Sequence, residues 1–221
     1  MNQIKILEIE MLCHDVKRIV TTKPQGYTFK PGQATELSID EDGEREKKRP
    51  FTFTSLPEEE KLEFVIKIYP KRDGVTDAID DLQKGQGLLI GEAWGAIEFK
   101  EPGVFIAGGA GITPFLAILR SEAAQGRNAA QKLIFSNERQ EDLFLIRELA
   151  ACTNDKLLLT FTGEEVSGAE SGRVDKVFLE KHVTDFDTYF YVCGTPEMTS
   201  DVTEALIQLG AAKDKIITED A

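Results

Sequence analysis

Apolar and polar residues alternate along the first hundred positions with the two-residue period of strands. Ile4-Lys5-Ile6-Leu7-Glu8-Ile9-Glu10 follows it, as does Lys61-Leu62-Glu63-Phe64-Val65-Ile66-Lys67-Ile68. Pro31-Gly32-Gln33, Glu41-Asp42-Gly43-Glu44 and Arg72-Asp73-Gly74 punctuate the pattern as turns. Short strands between regular turns predict an antiparallel β-barrel. One helix interrupts it, near Thr76 to Leu82, where Ala78, Ile79 and Leu82 share a face.

After Lys100-Glu101-Pro102-Gly103 the pattern changes. Val104-Phe105-Ile106-Ala107 is a short apolar run, suited to a strand buried on both faces. A helix is predicted from Pro114 to Ala124. Strands follow at Lys132–Phe135, Lys156–Phe161 and Tyr189–Val192, and helices at Glu141–Ala150, Val174–Lys181 and Pro196–Leu209. Alternating strands and helices predict a doubly wound α/β domain with a mostly parallel sheet. The chain therefore divides into residues 1–102 and 103–221.

Composition narrows the possibilities. Hydrophobic residues make up 41% of the 221, enough for a packed core, and no apolar run approaches the ~20 residues of a membrane span. Met1 to Met11 lacks the apolar stretch of a signal peptide. Cys13, Cys152 and Cys193 are odd in number and far apart, as expected of a reducing cytoplasm without a disulfide framework. No Cys-x-x-Cys occurs, and His14 and His182 are isolated, so no ligand set for a structural zinc or an iron–sulfur cluster is expected. The net charge of −13 argues against nucleic acid as a partner and suits a solvated surface.

Four segments carry candidate chemistry. Gly108-Gly109-Ala110-Gly111-Ile112-Thr113-Pro114 follows the buried strand and opens a helix, whose N-terminus favours a pyrophosphate; it reads equally as a tight turn with no ligand. Val192-Cys193-Gly194-Thr195-Pro196-Glu197-Met198 also lies at the carboxyl end of a strand, the edge where open α/β sheets bind ligands. In Arg49-Pro50-Phe51-Thr52-Phe53-Thr54-Ser55 an extended strand puts Arg49, Phe51 and Phe53 on one face. There a guanidinium can pair with phosphate and a ring can stack on a heterocycle; a half-buried strand with an exposed Arg is the plainer alternative. Lys71-Arg72-Asp73-Gly74-Val75-Thr76-Asp77 leads into the barrel's helix, where Thr76 is either part of a second phosphate site or a simple N-cap.

The order Arg-x-aromatic-Thr, Gly-x-Thr before a helix, Gly-Gly-x-Gly-Ile-Thr-Pro and Cys-Gly-Thr-Pro-x-Met resembles the ferredoxin–NADP reductase superfamily over nearly the whole chain. The resemblance implies an FAD-binding barrel (FMN being the lesser alternative) and an NAD(P)-binding α/β domain. Arg49 and Pro50 would lie at the flavin, Arg49 on its phosphate. Phe51 would stack on the isoalloxazine and Thr52 would bond near its reactive nitrogen. Ile66, Lys67 and Ile68 would line the flavin, and Gly74, Val75 and Thr76 would hold its pyrophosphate. Gly109, Gly111, Thr113 and Pro114 would bound the nicotinamide pocket, with Cys193, Gly194 and Met198 closing it. Thr52, Thr113, Cys193 and Glu219 would be the groups nearest the chemistry. Trp94 stands in a turn where the family tends to have Gly-Pro-x-Gly, and the resemblance does not account for it.

The activity so implied is hydride transfer from NADH or NADPH to the flavin, then electron transfer to a separate acceptor such as flavodoxin or ferredoxin. The alternatives are a free-flavin or ferric reductase, or an electron-transfer subunit of a larger complex. The acidic segments Ser136 to Asp142 and Thr162 to Glu165 lean towards NADH, while Arg139 and Arg173 argue the other way. Arg45, Lys47, Lys48, Arg49, Lys67, Lys71 and Arg72 form a candidate docking patch for an acidic partner, or else a solvated loop balancing Glu41 to Glu46. Ala221 stands where several relatives carry a terminal aromatic that covers the flavin, so an open ring face is expected.

Overall fold

The computed structural model describes residues 1–69, 75–95 and 97–219. Six strands form an antiparallel sheet in the order β4-β3-β6-β1-β2-β5. They are β1 (Asn2–Met11), β2 (Val16–Thr22), β3 (Ala34–Ile39), β4 (Arg49–Thr52), β5 (Lys61–Lys67) and β6 (Gly87–Trp94). The two edge strands meet where the Thr54 amide donates to the Glu63 carbonyl at 2.9 Å, which curls the sheet into a barrel. Alternate residues Ile4, Ile6, Leu37, Leu62, Phe64 and Ile66 point into it and are buried, as the period-two pattern requires. The short helix α1 (Val75–Asp80) places Val75 and Ile79 in the same core.

The second sheet is parallel, in the order β10-β9-β8-β7-β11-β12. Its strands are β7 (Gly103–Gly108), β8 (Lys132–Asn137), β9 (Leu157–Phe161), β10 (Glu170–Ser171), β11 (Tyr189–Cys193) and β12 (Ile216–Thr218). Helices α2 (Thr113–Ala124), α3 (Ile146–Cys152), α4 (Lys176–His182) and α5 (Pro196–Gln208) connect them. Central strand β7 is buried from Gly103 to Ala107, so its sequence shows no alternation. Two apolar layers cover the sheet, and one of them joins Phe105, Phe115 and Leu119 to Val16, Val65 and Ile97 from the first half of the chain. The outer wall of the barrel and helix α2 thus share a continuous core.

The expected two-part architecture is present, with three local differences. The single helix expected over Glu141–Ala150 is a 3₁₀ turn at Gln140–Asp142 followed by α3. Between them Phe144 is buried edge-on against Phe135 and Leu145 takes a left-handed backbone (φ 53°), so burial overrides helical continuity. Strand β4 stops at Thr52, so its alternation does not extend to Phe53, which turns fully into the barrel core and stacks on Phe29 at 4.3 Å. The two-residue strand β10 has no apolar pattern to announce it and exists through its pairing with β9.

Candidate functional site

The strand order places the topological switch between β7 and β11: successive strands run outward from β7 in one direction and from β11 in the other. Chains leaving these neighbours on opposite sides open a crevice at their carboxyl ends. Gly108-Gly109 ends one and Cys193-Gly194 follows the other, so both glycine-bearing segments reach the crevice.

The glycines hold the two turns together. A Cβ on Gly111 would lie 2.3 Å from the Cys193 carbonyl oxygen, and one on Gly108 would lie 2.3 Å from the Met198 Sδ. Gly194 is similarly closed, with Met198 Sδ at 2.8 Å. Gly109 differs: it has a left-handed backbone (φ 51°) and open space where a side chain would stand. Close backbone packing, as much as room for a ligand, explains this glycine pattern.

A pocket of about 270 Å³ lies between barrel and crevice. Its barrel wall is Pro50, Phe51 and Thr52 from β4, Val65, Ile66 and Lys67 from β5, and Thr76 from α1. Its other wall is Gly111, Thr113, Pro114, Cys193, Gly194 and Glu219. Most of the residues proposed from the sequence thus meet in one cavity, across more than 160 positions of chain from Pro50 to Glu219. Ala110, from the first glycine segment, also borders it, as do Ala34 and Tyr69, which carried no signal in the sequence.

A second cleft of about 490 Å³ opens along the carboxyl edge of the parallel sheet. Gly109 and Met198 border it, with Ser136, Asn137, Arg139, Thr162, Arg173 and Glu197. Lys67 borders both spaces. His14 and Asp15, from the turn between β1 and β2, reach this cleft from the barrel side, a contribution no motif signalled.

The remaining proposed residues lie elsewhere. Arg49 is exposed at the start of β4, its guanidinium donating to the Lys48 carbonyl at 2.7 Å. Ile68 and Val75 are buried in the barrel core. Gly74, Lys71, Arg72 and Ala221 lie outside the described residues. Trp94 ends β6 opposite Ala34 and is 47% exposed. The proposed cationic patch is partly neutralised: Arg45 pairs with Asp40 and Asp42, Lys47 with Glu44, and Lys67 with Asp15.

The polar groups are poised for ligands. Helix α2 begins without a side-chain cap and without an acidic residue in its first turn; it runs on from a 3₁₀ turn over Gly109–Ile112, and the Thr113 amide donates to the Ala110 carbonyl. In contrast, Asp175 caps α4 and Thr195 caps α5. The Asn137 amide Nδ2 is buried at the cleft with no partner among the described residues. The Cys193 thiol donates to Glu219 Oε2 at 3.6 Å, and burial, reinforced by that carboxylate, pushes it up to about 12. Among the described residues, no helix is long and apolar enough to cross a membrane.

Comparison with known proteins agrees with this geometry. Residues 1–83 match the model of an FAD-binding domain, and residues 105–204 that of an oxidoreductase NAD-binding domain. The reductase component of propane 2-monooxygenase from Rhodococcus jostii is 28% identical over 96% of this chain, which spans 61% of that protein. The ferredoxin–NAD(P)+ reductase component of a naphthalene 1,2-dioxygenase system from Pseudomonas putida is 24% identical over 97% of this chain and 67% of its own. The chain thus spans about three-fifths to two-thirds of these relatives. In fold it is similar to a ferredoxin–NADP+ reductase from Neisseria gonorrhoeae solved with FAD and NADP. That similarity has a TM-score of 0.84 at 24% identity, over 98% of this chain and 97% of that one. The chain thus carries an FAD-binding domain followed by an oxidoreductase NAD-binding domain, in the fold of that ferredoxin–NADP+ reductase.

Proposed function

We propose that this protein is an NAD(P)H-dependent flavin oxidoreductase that passes electrons to a separate acceptor such as a ferredoxin, a flavodoxin or an oxygenase component. The observation that carries the reading is the pocket in which Phe51 and Thr52 of the barrel face Gly111, Thr113, Cys193 and Glu219 of the parallel sheet. FAD, when bound, supplies a ring able to accept hydride and to release electrons singly.

The chain's own residues bind, orient and exclude water. Phe51 offers a plane for the ring, and the Thr52 hydroxyl a hydrogen bond at its edge. Arg49, without an acidic partner among the described residues, offers its guanidinium to a phosphate. Val65 and Ile66 belong to the β5 wall of the pocket. Thr113 anchors the first turn of α2 by donating its hydroxyl to the Ala110 carbonyl at 3.0 Å, which fixes the glycine turn at the pocket wall. Cys193 stays a neutral thiol, so it closes the pocket without adding charge. Asn137 and the 490 Å³ cleft suit the remainder of the dinucleotide. Arg139 and Arg173, the cations a 2′-phosphate would need, are engaged by Glu141 and Glu197, which favours NADH. A division at residues 102/103 and a reducing cytoplasmic location, in keeping with three free cysteines, belong to the same proposal.

The test is an absorbance spectrum of the purified chain followed by steady-state NADH and NADPH oxidation with an artificial acceptor. A flavin spectrum with turnover is expected, with the higher catalytic efficiency for NADH. A colourless protein that does not recover activity with added FAD overturns the reading.

A further inference from the structure

The turn joining β1 to β2 is Cys13-His14-Asp15, and it docks on residues 140–142 of the second half of the chain. Its three side chains bring their ligand atoms within 4.8 Å of one another. Cys13 Sγ lies 3.5 Å from Asp15 Oδ1, and His14 Nε2 lies 3.6 Å from Asp15 Oδ2 and 3.6 Å from Asp142 Oδ1. These separations are long for hydrogen bonds between nitrogen and oxygen. The Cys13–Asp15 and His14–Asp15 separations suit donors that share one small ion, since ligands bonded at about 2.0–2.3 Å stand about 3.3–3.7 Å apart.

The surroundings of the histidine supply an independent argument. Its Nδ1 lies 3.2 Å from the Glu141 carbonyl oxygen, which can only accept, so Nδ1 carries a proton. Nε2 is thereby turned towards two carboxylate oxygens. The lone pair on Nε2 faces the same space as these carboxylate oxygens, an arrangement in which one cation can be shared between them. The carboxylates are held in place from behind: Asp142 Oδ2 accepts from the Arg139 amide at 2.8 Å, and Asp15 Oδ2 from Lys67 Nζ at 2.9 Å. Such outer contacts are what orient metal ligands.

We propose that Cys13, His14 and Asp15 form a binding site for a divalent transition ion of the zinc type, with the Asp142 carboxylate beside the histidine tying the site to the parallel-sheet half of the chain. Binding displaces the Cys13 thiol proton to solvent and forms bonds to sulfur, Nε2 and the Asp15 carboxylate, with a solvent molecule in the fourth position. The thiolate, both carboxylates, Lys67 and a divalent ion then sum to zero charge. Asp15 and Asp142 are largely covered while His14 is 49% exposed, so an ion enters on the histidine side. Because His14, Asp15, Lys67 and Asp142 all border the 490 Å³ cleft, occupancy pins the seam between the two halves of the chain at its edge. The assignment does not depend on the flavin reading.

Cobalt(II) added to the chelator-dialysed full chain tests it. The expected result is a one-to-one complex with the strong visible bands of a four-coordinate ion and a thiolate-to-cobalt charge-transfer band. Cys13→Ala and His14→Gln should each lower the affinity by at least about tenfold, the lower bound for disturbing even an outer-shell partner. In the unsubstituted chain, zinc should slow alkylation of Cys13 while leaving that of buried Cys152 and Cys193 unchanged. Weak six-coordinate bands, or equal binding by the Cys13→Ala chain, overturn the proposal, as does alkylation of Cys13 at the same rate with and without zinc.

Discussion

Arg120 is the place where the two halves of the chain are tied by charge, and removing it should loosen them measurably. It lies on α2 and is 17% exposed. Its Nη1 is 2.6 Å from Glu63 Oε1 of β5 and donates to the Thr54 carbonyl, while its Nε donates to Glu148 of α3. Truncating one member of a buried ion pair costs about 3–5 kcal/mol, because the other charge is left uncompensated. Here the cost is reduced. Glu63 keeps Arg18 at 3.3 Å and the Thr54 hydroxyl at 2.8 Å, and Glu148 is 36% exposed, so its own contact is worth little. About 2–3 kcal/mol remains for Arg120→Ala, or a fall of roughly 5–10 °C in midpoint for a chain of this size. Thermal unfolding followed by circular dichroism measures it. Arg120→Lys should recover little, since one ammonium cannot serve three acceptors set around a planar fork. A shift below about 1 °C for Arg120→Ala would show the cluster to be no stronger than a surface pair.

Arg49→Ala should leave the fold intact, since the side chain is exposed and touches only a neighbouring carbonyl, yet bind flavin about ten- to a hundredfold more weakly; flavin retained at the unsubstituted ratio after dialysis would remove Arg49 from the site. Gly111→Ala should destabilise far more than Gly109→Ala, because its methyl would strike the Cys193 carbonyl whereas Gly109 has open space and incurs about 1–2 kcal/mol for its left-handed backbone; equal urea midpoints for the two variants would contradict the packing argument. Burial raises the Cys193 thiol from 9.0 to about 12, so the folded chain holds a proton that the unfolded chain releases. This contribution to stability is complete below pH 9 and is lost as pH rises towards 12. The alkaline fall in urea midpoint should therefore be shallower in Cys193→Ala, and identical slopes would refute it.

The period-two runs of β1 and β5 and the buried run of β7 are legible in the chain because burial of one face or both writes itself directly into residue choice. The same holds for the glycine segments that end β7 and follow β11, since a close backbone approach leaves no room for a side chain. Local sequence also carried the proposal that Phe51, Thr113 and Cys193 belong to one site, through the order of the motifs. What it could not hold is distance across the fold. The split of the expected Glu141–Ala150 helix follows from the burial of Phe144 against Phe135 of β8, a partner that helical period does not record. Cys13, His14 and Asp15 look unremarkable as a turn until docking brings Asp142 beside them, over a hundred positions away. Arg120, one cation among many in the sequence, becomes a clasp because α2 packs on the barrel wall with Glu63 and the Thr54 carbonyl beneath it. Segment patterns report how each element meets water; which charges and ligand atoms meet one another is settled by how the barrel and the parallel sheet pack together.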